Sequence, residues 1–296
     1  MGDKKCQLEI VLFFIEDKQN IVEDILGIFK VVNENVRPSE MLALCCKSIK
    51  STMPTASIVL ITDHETNIHE GIDEIKIIRT NEIRHEYIMF DLLKYRKKYI
   101  EDALNSDKNI IFTDIDILFN KSIEEVFIDE FDVGMPATFY QNLQFSKRGV
   151  PINSLISTIN CGIFFIKPNL ESVEFYDAWI NLMSNLNSTD ELREYGALSI
   201  KIKDEFLKWW GEPHTLMVLI NSILNKKEYK KFKFANTTIK IMQDDIYNFT
   251  PEMQERMGKL GLSISREAFD RASVFHLRGG RKLFMRQLAG AMNIYK

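Results

Sequence analysis

NIIFTDIDILF, residues 109–119, is the stretch of this sequence that says most about its fold and its chemistry. Residues 110–112 form an apolar run without polar alternation, which is typical of a strand covered on both faces. Asp114 and Asp116 follow two residues apart, and residues so spaced in a strand point to the same side. Because open α/β sheets bind ligands at the carboxyl ends of their strands, the two carboxylates are predicted to converge on a ligand there.

Two carboxylates with room left for phosphates are hard oxygen ligands that suit Mg²⁺ or Mn²⁺. The alternative is a half-buried strand whose solvent face carries two aspartates. Asp is a poor strand former, and the flanking Thr113, Ile115 and Ile117 keep the surroundings apolar. The pattern therefore favours a functional site.

Composition narrows the class of protein. The 296 residues fit one large α/β domain or two smaller ones, and 45% hydrophobic and 11% aromatic residues argue against disorder. A net charge of −4 provides no broad basic field, so nucleic acid is not an expected partner. Four cysteines without the spacing of a disulfide framework indicate reduced thiols.

The sequence shows no signal-peptide pattern and no apolar run long enough to span a bilayer. We therefore expect a soluble, cytoplasmic protein. Its membrane contact would be at most peripheral, through the lysine-rich turn Lys226–Lys233.

Apolar runs and helical periodicity alternate along the first half of the chain, which predicts a βαβ series and a parallel sheet. We predict a single α/β domain over 1–296, with a nucleotide-binding half (1–120) and an acceptor-binding half (121–296) that also carries a C-terminal metal- and diphosphate-binding segment. The loop Thr138–Ser154 and the segment Asn185–Trp210 are the expected places for the acceptor site. The predicted strands besides residues 109–119 are Leu8–Ile15, Ser57–Thr62, Glu74–Arg79, Phe131–Ala137, Ser157–Pro168, Phe234–Met242 and Ser273–Leu277, and the main helices are Met41–Ser51, Glu86–Leu104, Leu170–Met183 and Thr215–Leu224.

A second motif, HLRGGRK, follows a short apolar strand near the end of the chain at His276–Lys282. An imidazole nitrogen can complete a divalent-metal site, and the glycines Gly279 and Gly280 let backbone amides approach phosphate closely. Arg278 and Lys282 can neutralise phosphate charge. Standing alone, the motif is equally well explained as a solvated basic turn, but its combination with the aspartate pair favours a ligand site.

Taken in order, these motifs resemble those of GT-A type nucleotide-diphospho-sugar glycosyltransferases, closest to the retaining glycogenin-like and galactosyltransferase families. Asp114 and Asp116 resemble the D-x-D motif that binds metal and donor diphosphate, and Asn160 and Gly162 resemble the strand beside the sugar. The ending His276–Lys282 is similar to one in which the His ligates Mn²⁺ and the Lys contacts the diphosphate. The resemblance implies a GT-A (Rossmann-like) fold with a central, mostly parallel sheet flanked by helices.

Four further residues are candidates for the site, and each assignment has a plainer alternative. Those families often carry Asp-Gln where this chain has Glu212 and, two residues later, His214. The pair formed by Glu212 and His214 is also similar to one in blood-group-type transferases. That resemblance implies that Glu212 lies nearest the reacting sugar and that His214 contacts sugar or acceptor. The alternative is an acid favoured by a helix N-terminus. Arg96 (or Lys97) is at the position where the family has a basic residue; the alternative is that it lies on a solvated helix face. Asp63 is a candidate contact of the nucleoside; the alternative is that it is a turn residue.

The resulting hypothesis is a glycosyltransferase of glycan, polysaccharide or related biosynthesis. Asp116 and His276, assisted by Asp114, would hold Mn²⁺ or Mg²⁺ against the diphosphate of a nucleotide sugar, and UDP is the nucleotide that the resemblance implies. A hexose would pass to a hydroxyl of a glycan, lipid-linked sugar, protein or small-metabolite acceptor. The resemblance of the His276–Lys282 motif to that of glycogenin-like enzymes favours retention. Inversion would require a carboxylate base, for which Glu212 is the candidate.

Two alternatives stay open. Phosphatases with an aspartyl nucleophile also use D-x-D, and Asp244 and Asp245 are positioned to supply their later metal-binding pair, but here D-x-D falls at the fourth predicted strand instead of the first. A catalytically inactive nucleotide-sugar-binding protein is the other alternative. The presence of both metal acids and of His276 argues against it.

Overall fold

The computed structural model describes residues 7–15, 37–64, 66, 68, 70–78, 88–139, 159, 161–185, 211–224, 226–256 and 259–294. The chain divides into two compact units that alternate along the sequence. The first comprises Met1–Arg79, Ile111–Ile128 and Asp244–Lys296, and the second comprises Thr80–Ile110 and Asp129–Gln243. The predicted division of one domain at residue 120 stays a prediction.

The described residues form the following elements. The strands are β1 Gln7–Phe13, β2 Ser57–Thr62, β3 Glu74–Ile77, β4 Lys108–Thr113, β5 Ile117–Phe119, β6 Val133–Ala137, β7 Ile163–Ile166, β8 Lys231–Phe234, β9 Thr237–Gln243, β10 Glu252–Arg256, β11 Lys259–Ser263 and β12 Val274–His276. The α-helices are α1 Pro38–Thr52, α2 Ile88–Asp102, α3 Leu170–Asn185, α4 Gly211–Leu219, α5 Asn221–Leu224, α6 Asp244–Tyr247, α7 Arg266–Arg271 and α8 Met285–Ala291, and 3₁₀ helices cover Glu124–Ile128 and Gly279–Phe284.

The first unit is built on parallel strands. β1 pairs with β2 and β2 with β3, both in parallel, in the spatial order β3-β2-β1. β1 and β2 are almost wholly buried, as their continuous apolar sequences predict for strands covered on both faces. Helix α1 starts with Pro38 in its first turn, where the missing amide hydrogen costs nothing, and buries Leu42, Cys45 and Ile49.

The second unit contains a mixed sheet with the order β7-β6-β9-β8. β6 pairs with β9 in parallel, whereas β6/β7 and β8/β9 are antiparallel. Its core is aromatic. Trp179 of α3 is fully buried beside Phe164, Phe175 and Tyr176, and its indole Nε1–H donates to Oγ1 of Thr215 on α4 at 2.9 Å. A buried indole that finds such an acceptor fixes how these helices pack.

The predicted α/β class, with mostly parallel pairing and flanking helices, is confirmed. Strand Ser57–Thr62 has its predicted bounds. The predicted strand over residues 109–119 was wrong in one respect: β4 ends at Thr113, Asp114 follows it, and Ile115 and Asp116 form a turn before β5. The two carboxylates are therefore brought together by a turn and not by strand alternation.

Two other elements correct the predictions. The lysine-rich turn Lys226–Lys233 includes most of β8, and the predicted helix Thr215–Leu224 is divided between α4 and α5 at Ile220. The loop predicted at Thr138–Ser154, beyond residue 139, and the residues 186–210 proposed for the acceptor site lie outside the described residues. None of the described helices has both the length and the apolar sequence that crossing a membrane requires.

Candidate functional site

The two sequence motifs meet within the first unit through a pair of short strands. β12 runs antiparallel to β5, with His276 opposite Ile117. The backbone N–H of Leu277 then donates to the carbonyl of Asp116 at 2.9 Å. Because β5 begins at the residue after Asp116 and β12 ends at His276, this pairing places the imidazole beside the carboxylate that the sequence separates from it by more than half the chain.

Three side chains converge at this point. Nε2 of His276 lies 3.3 Å from Oδ1 of Asp116 and 3.9 Å from Oδ2 of Asp114. Potential ligand atoms of the three residues lie within 4.8 Å of one another, and this is the one such group of three in the described part of the chain. Asp116 and His276 are buried, whereas the side chain of Asp114 is 43% exposed. Two carboxylates and an imidazole, open on one side, suit Mn²⁺ or Mg²⁺ with positions left for phosphate oxygens.

Lys282 also reaches this group. It belongs to the 3₁₀ helix Gly279–Phe284, and its Nζ lies 3.0 Å from Oδ2 of Asp116. Gly279 has φ of +62°, a left-handed conformation that favours glycine, and a Cβ added there would meet nothing within 4 Å. The glycine is therefore needed for the backbone turn that starts this helix, which positions the lysine.

Asp116 and Lys282 stabilise each other in their ionised forms. Burial would raise the pKa of Asp116, but the positive charge of Lys282 and the interaction with His276 hold that pKa well below its usual range. Burial would lower the pKa of Lys282, and the carboxylate of Asp116 overrides this and raises it. A carboxylate that is ionised throughout the physiological range is ready to bind a cation.

Asn248 is a member of the site that sequence reasoning missed. Its side chain is 1% exposed, and its Oδ1 lies 3.0 Å from Nδ1 of His276. The sequence shows it only as part of the turn that ends at Pro251. Its contact with His276 comes from the parallel bridge of Phe249 with Phe275, a tertiary pairing for which the local sequence carries no signal.

The cysteines near the site are not reactive groups. Sγ of Cys45 lies 3.9 Å from the carbonyl oxygen of Asp114, and the residue is fully buried. Burial, reinforced by the neighbouring negative groups, raises the pKa of the Cys45 thiol well above its usual value, and burial raises that of Cys46 to about 12. Both thiols stay protonated at neutral pH, so they serve as packing groups.

Glu212 and Arg96 meet in the second unit. Glu212 lies in the first turn of α4, and its Oε1 is 2.5 Å from Nη1 of Arg96 on α2, with both side chains buried. The guanidinium also lies 5.3 Å from the ring centre of Phe164. Arg96 therefore does not lie on a solvated face, whereas its neighbour Lys97 forms a partly exposed ion pair with Asp177.

The remaining predicted residues are placed as follows. Asp63 is buried after β2, and its Oδ1 accepts hydrogen bonds from the backbone N–H and the hydroxyl of Thr66 at 2.8 and 2.7 Å. Gly162 is buried just before β7, while Asn160 lies outside the described residues. His214 lies in α4, but its side chain is likewise outside them. The functional roles assigned to these residues stay predictions.

A family model described as nucleotide-diphospho-sugar transferase matches residues 67–201. A search of curated proteins finds no match. Among solved structures, the chain is similar to a glycosyltransferase involved in the glycosylation of the major capsid of PBCV-1 (10% identity, TM-score 0.47, covering 97% of this chain and 99% of that one). It is also similar to the galactosyltransferase LgtC in complex with donor and acceptor sugar analogues (13% identity, TM-score 0.48, covering 96% and 95%).

The matched residues include both carboxylates of the D-x-D motif, while His276 and Lys282 lie beyond them. The convergence of these two residues on Asp116 is thus an observation independent of the family match. The predicted enzyme class, a transferase, agrees with the match. The family predicted from the motifs is confirmed for the stretch that the model covers: in residues 67–201 this chain resembles the nucleotide-diphospho-sugar transferases.

Proposed function

We propose that this protein is a metal-dependent glycosyltransferase that moves a hexose from a nucleotide-diphosphate sugar, a UDP-sugar in the first instance, to an acceptor hydroxyl. The observation that carries the proposal is the convergence of Asp114, Asp116 and His276 within 4.8 Å, with the ammonium of Lys282 beside them. A group that combines carboxylates, an imidazole and an ammonium suits a metal and a diphosphate bound together.

Each residue has a distinct part in the proposal. Asp116 and His276, with Asp114 at the exposed side, would hold Mn²⁺ or Mg²⁺; when bound, such an ion stabilises the negative charge on a leaving diphosphate. Lys282, whose Nζ lies 3.0 Å from Oδ2 of Asp116, would neutralise the same charge, and the backbone amides at Gly279 and Gly280 would contact phosphate oxygens.

Retention is the stereochemical outcome that we propose. Inversion requires a base that takes the acceptor proton. Glu212, the candidate for that base, is fully buried and paired with the guanidinium of Arg96. A general base must lie within hydrogen-bond reach of the acceptor hydroxyl, and a carboxylate without exposed surface does not offer this. The resemblance to blood-group-type transferases is the ground on which Glu212, with its partner Arg96, is still proposed to position the sugar end of the donor. Asp63, Asn160, Gly162 and His214 are further predicted contacts of donor or acceptor.

The phosphatase alternative has less support from the site. It needs Asp244 and Asp245 as metal ligands, but the one three-ligand group in the described residues contains neither of them. Asp245 forms an ion pair with Arg271 at 3.0 Å, and Asp244 accepts a hydrogen bond from Asn248. The acceptor class (glycan, lipid-linked sugar or protein), peripheral membrane contact and the cytoplasmic location stay predictions from the sequence.

The test of this function is donor hydrolysis in the absence of acceptor. The protein is incubated with UDP-hexoses and Mn²⁺, and the release of UDP and the anomeric configuration of the released sugar are followed by NMR. We expect slow, chelator-sensitive UDP release with the donor's configuration retained. Release of phosphate from phosphate monoesters instead would favour the phosphatase, and tight nucleotide binding without hydrolysis or transfer would favour the inactive binding protein.

Lys282→Met is expected to change the two ligands' affinities in opposite directions. Without nucleotide, the ammonium competes with the metal for Asp116, so its loss should strengthen Mn²⁺ binding about tenfold, as expected for one charge-assisted hydrogen bond. With Mn²⁺ present, UDP should bind about 10- to 100-fold more weakly, because one positive charge facing the diphosphate is missing. Calorimetric titration of each ligand measures both constants, and a parallel change in the two would contradict this account of Lys282.

A further inference from the structure

A buried hydrogen-bonded chain leads away from the imidazole of His276 on the side opposite the carboxylates. Nδ1 of His276 lies 3.0 Å from Oδ1 of Asn248. Nδ2 of Asn248 donates to Oδ1 of Asp244 at 2.8 Å, and the backbone N–H of Asn248 donates to the carbonyl of Asp244 at 2.9 Å. Asn248 is 1% and His276 2% exposed, so these bonds are shielded from water.

The carboxylate of Asp244 decides how the amide of Asn248 is oriented. A carboxylate has only acceptor oxygens, so the group that faces it must be the NH₂ of the amide. The opposite orientation would place two oxygens 2.8 Å apart in a buried position. The amide oxygen of Asn248 therefore faces the imidazole.

The amide oxygen in turn decides the tautomer of His276. Because it only accepts hydrogen bonds, Nδ1 of the imidazole must carry the proton. With the proton on Nδ1, Nε2 is the nitrogen that faces Asp114 and Asp116, and its lone pair is left for a cation held between the ring and the carboxylates, as a metal ligand requires. With the other tautomer, an N–H would point at the carboxylates and the ring would be unable to bind a cation.

We propose that Asp244 and Asn248 are positioning residues that hold His276 in the tautomer and orientation of a metal ligand. Neither residue touches the metal or the donor; both act through His276. This inference rests on the proposed metal site and extends it to a second layer of residues. Such partners of ligating histidines typically change metal affinity about 10- to 100-fold when they are removed.

The test measures Mn²⁺ binding to metal-free protein, with the EPR signal of the free ion as the readout and no donor present. Asn248→Ala should weaken Mn²⁺ binding about 10- to 100-fold. The exchange variant Asn248→Asp with Asp244→Asn should bind close to wild type, because an acceptor still faces Nδ1–H and a donor still faces the new carboxylate. Asn120→Ala is the matched control, since Nδ2 of Asn120 donates to the carbonyls of Phe269 and Ala272, and its loss should leave Mn²⁺ binding unchanged.

The outcomes separate this inference from the proposed function. If Asn248→Ala binds Mn²⁺ with wild-type affinity and Asp116→Ala does not bind it, the positioning role is wrong and the proposed metal site is still supported. Unchanged binding in both variants would overturn both proposals. If Asn248→Ala does not fold, the exchange variant decides, and loss of Mn²⁺ binding in that folded variant overturns the positioning role.

A second measurement reads the tautomer directly. Imidazole ¹⁵N NMR of histidine-labelled wild type saturated with Mg²⁺ should show His276 with a protonated Nδ1 and no proton on Nε2. Asn248→Ala should show a mixture of tautomers. A wild-type spectrum with the proton on Nε2 would overturn the inference.

Discussion

Asp116→Ala is expected to abolish metal-dependent nucleotide binding and to lower sugar transfer about a thousandfold, the factor that a loss of about 4 kcal/mol of transition-state stabilisation produces. The reason is the central place of this carboxylate. It is buried, and it lies 3.3 Å from Nε2 of His276 and 3.0 Å from Nζ of Lys282. Its removal takes away one metal ligand and the carboxylate that both His276 and Lys282 contact. The measurement is initial-rate kinetics with UDP-hexose and Mn²⁺, together with calorimetric titration of UDP.

Two further variants separate chemistry from folding. Asp116→Asn keeps the shape of the side chain and should lose nearly as much activity, because the neutral amide oxygen binds a divalent cation more weakly than the carboxylate that it replaces. Asp245→Ala removes a half-exposed carboxylate of the same unit that pairs with Arg271, and it should keep its activity. A folded Asp116→Ala protein that transfers sugar at the wild-type rate with Mn²⁺ would contradict the site assignment.

Arg96→Met is expected to lower the free energy of unfolding by about 3 to 5 kcal/mol. The substitution leaves the carboxylate of Glu212 fully buried without the guanidinium that lies 2.5 Å from it. A charge of this kind has no access to water and costs much more than a lost surface contact. Equilibrium unfolding in urea, with the m-value checked against wild type, measures the change.

The matched control lies next to Arg96 on the same helix. Lys97 pairs with Asp177 at 2.7 Å but is partly exposed, so Lys97→Met should cost about 1 kcal/mol or less. The double variant Arg96→Met with Glu212→Leu removes both charges and should recover most of the loss, because well-packed apolar groups often replace a buried pair without cost. A loss for Arg96→Met as small as that for Lys97→Met would contradict the burial of the pair.

The double variant also bears on the proposed role of Glu212. If Glu212 and Arg96 position the donor sugar, the double variant should be stable but should transfer sugar poorly. If the pair only stabilises the second unit, stability and activity should recover together. Comparing the two properties in one protein therefore separates a functional role from a structural one.

The strands of the first unit were predictable because their sequences leave little choice. LEIVLFFI and SIVLIT are too apolar to face water, and β1 and β2 are found almost where these runs stand. β8 was missed for the opposite reason. KFKF at Lys231–Phe234 alternates with period two, as a strand with one exposed face should, but its lysines suggested a solvated turn.

The site was predictable as a set of residue types and not as a geometry. The carboxylates of Asp114 and Asp116, the imidazole of His276 and the ammonium of Lys282 were all identified, because polar side chains next to apolar strands are not explained by packing. The turn at Asp114–Asp116 was not identified, since the spacing alone suits a strand equally well. Asn248 and the Arg96–Glu212 pair depend on contacts between distant segments, which composition and periodicity do not report.

The most direct test of the central claim is the thermal unfolding of the wild-type protein with UDP, GDP and CMP, each with and without Mn²⁺. A ligand that binds only the folded state raises the melting temperature. The account predicts that UDP raises it only when Mn²⁺ is present and that Asp116→Ala removes the shift. A metal-dependent nucleotide-sugar site at Asp114, Asp116 and His276 would be contradicted if UDP raised the melting temperature equally without metal. It would also be contradicted if no nucleotide raised the melting temperature under any condition.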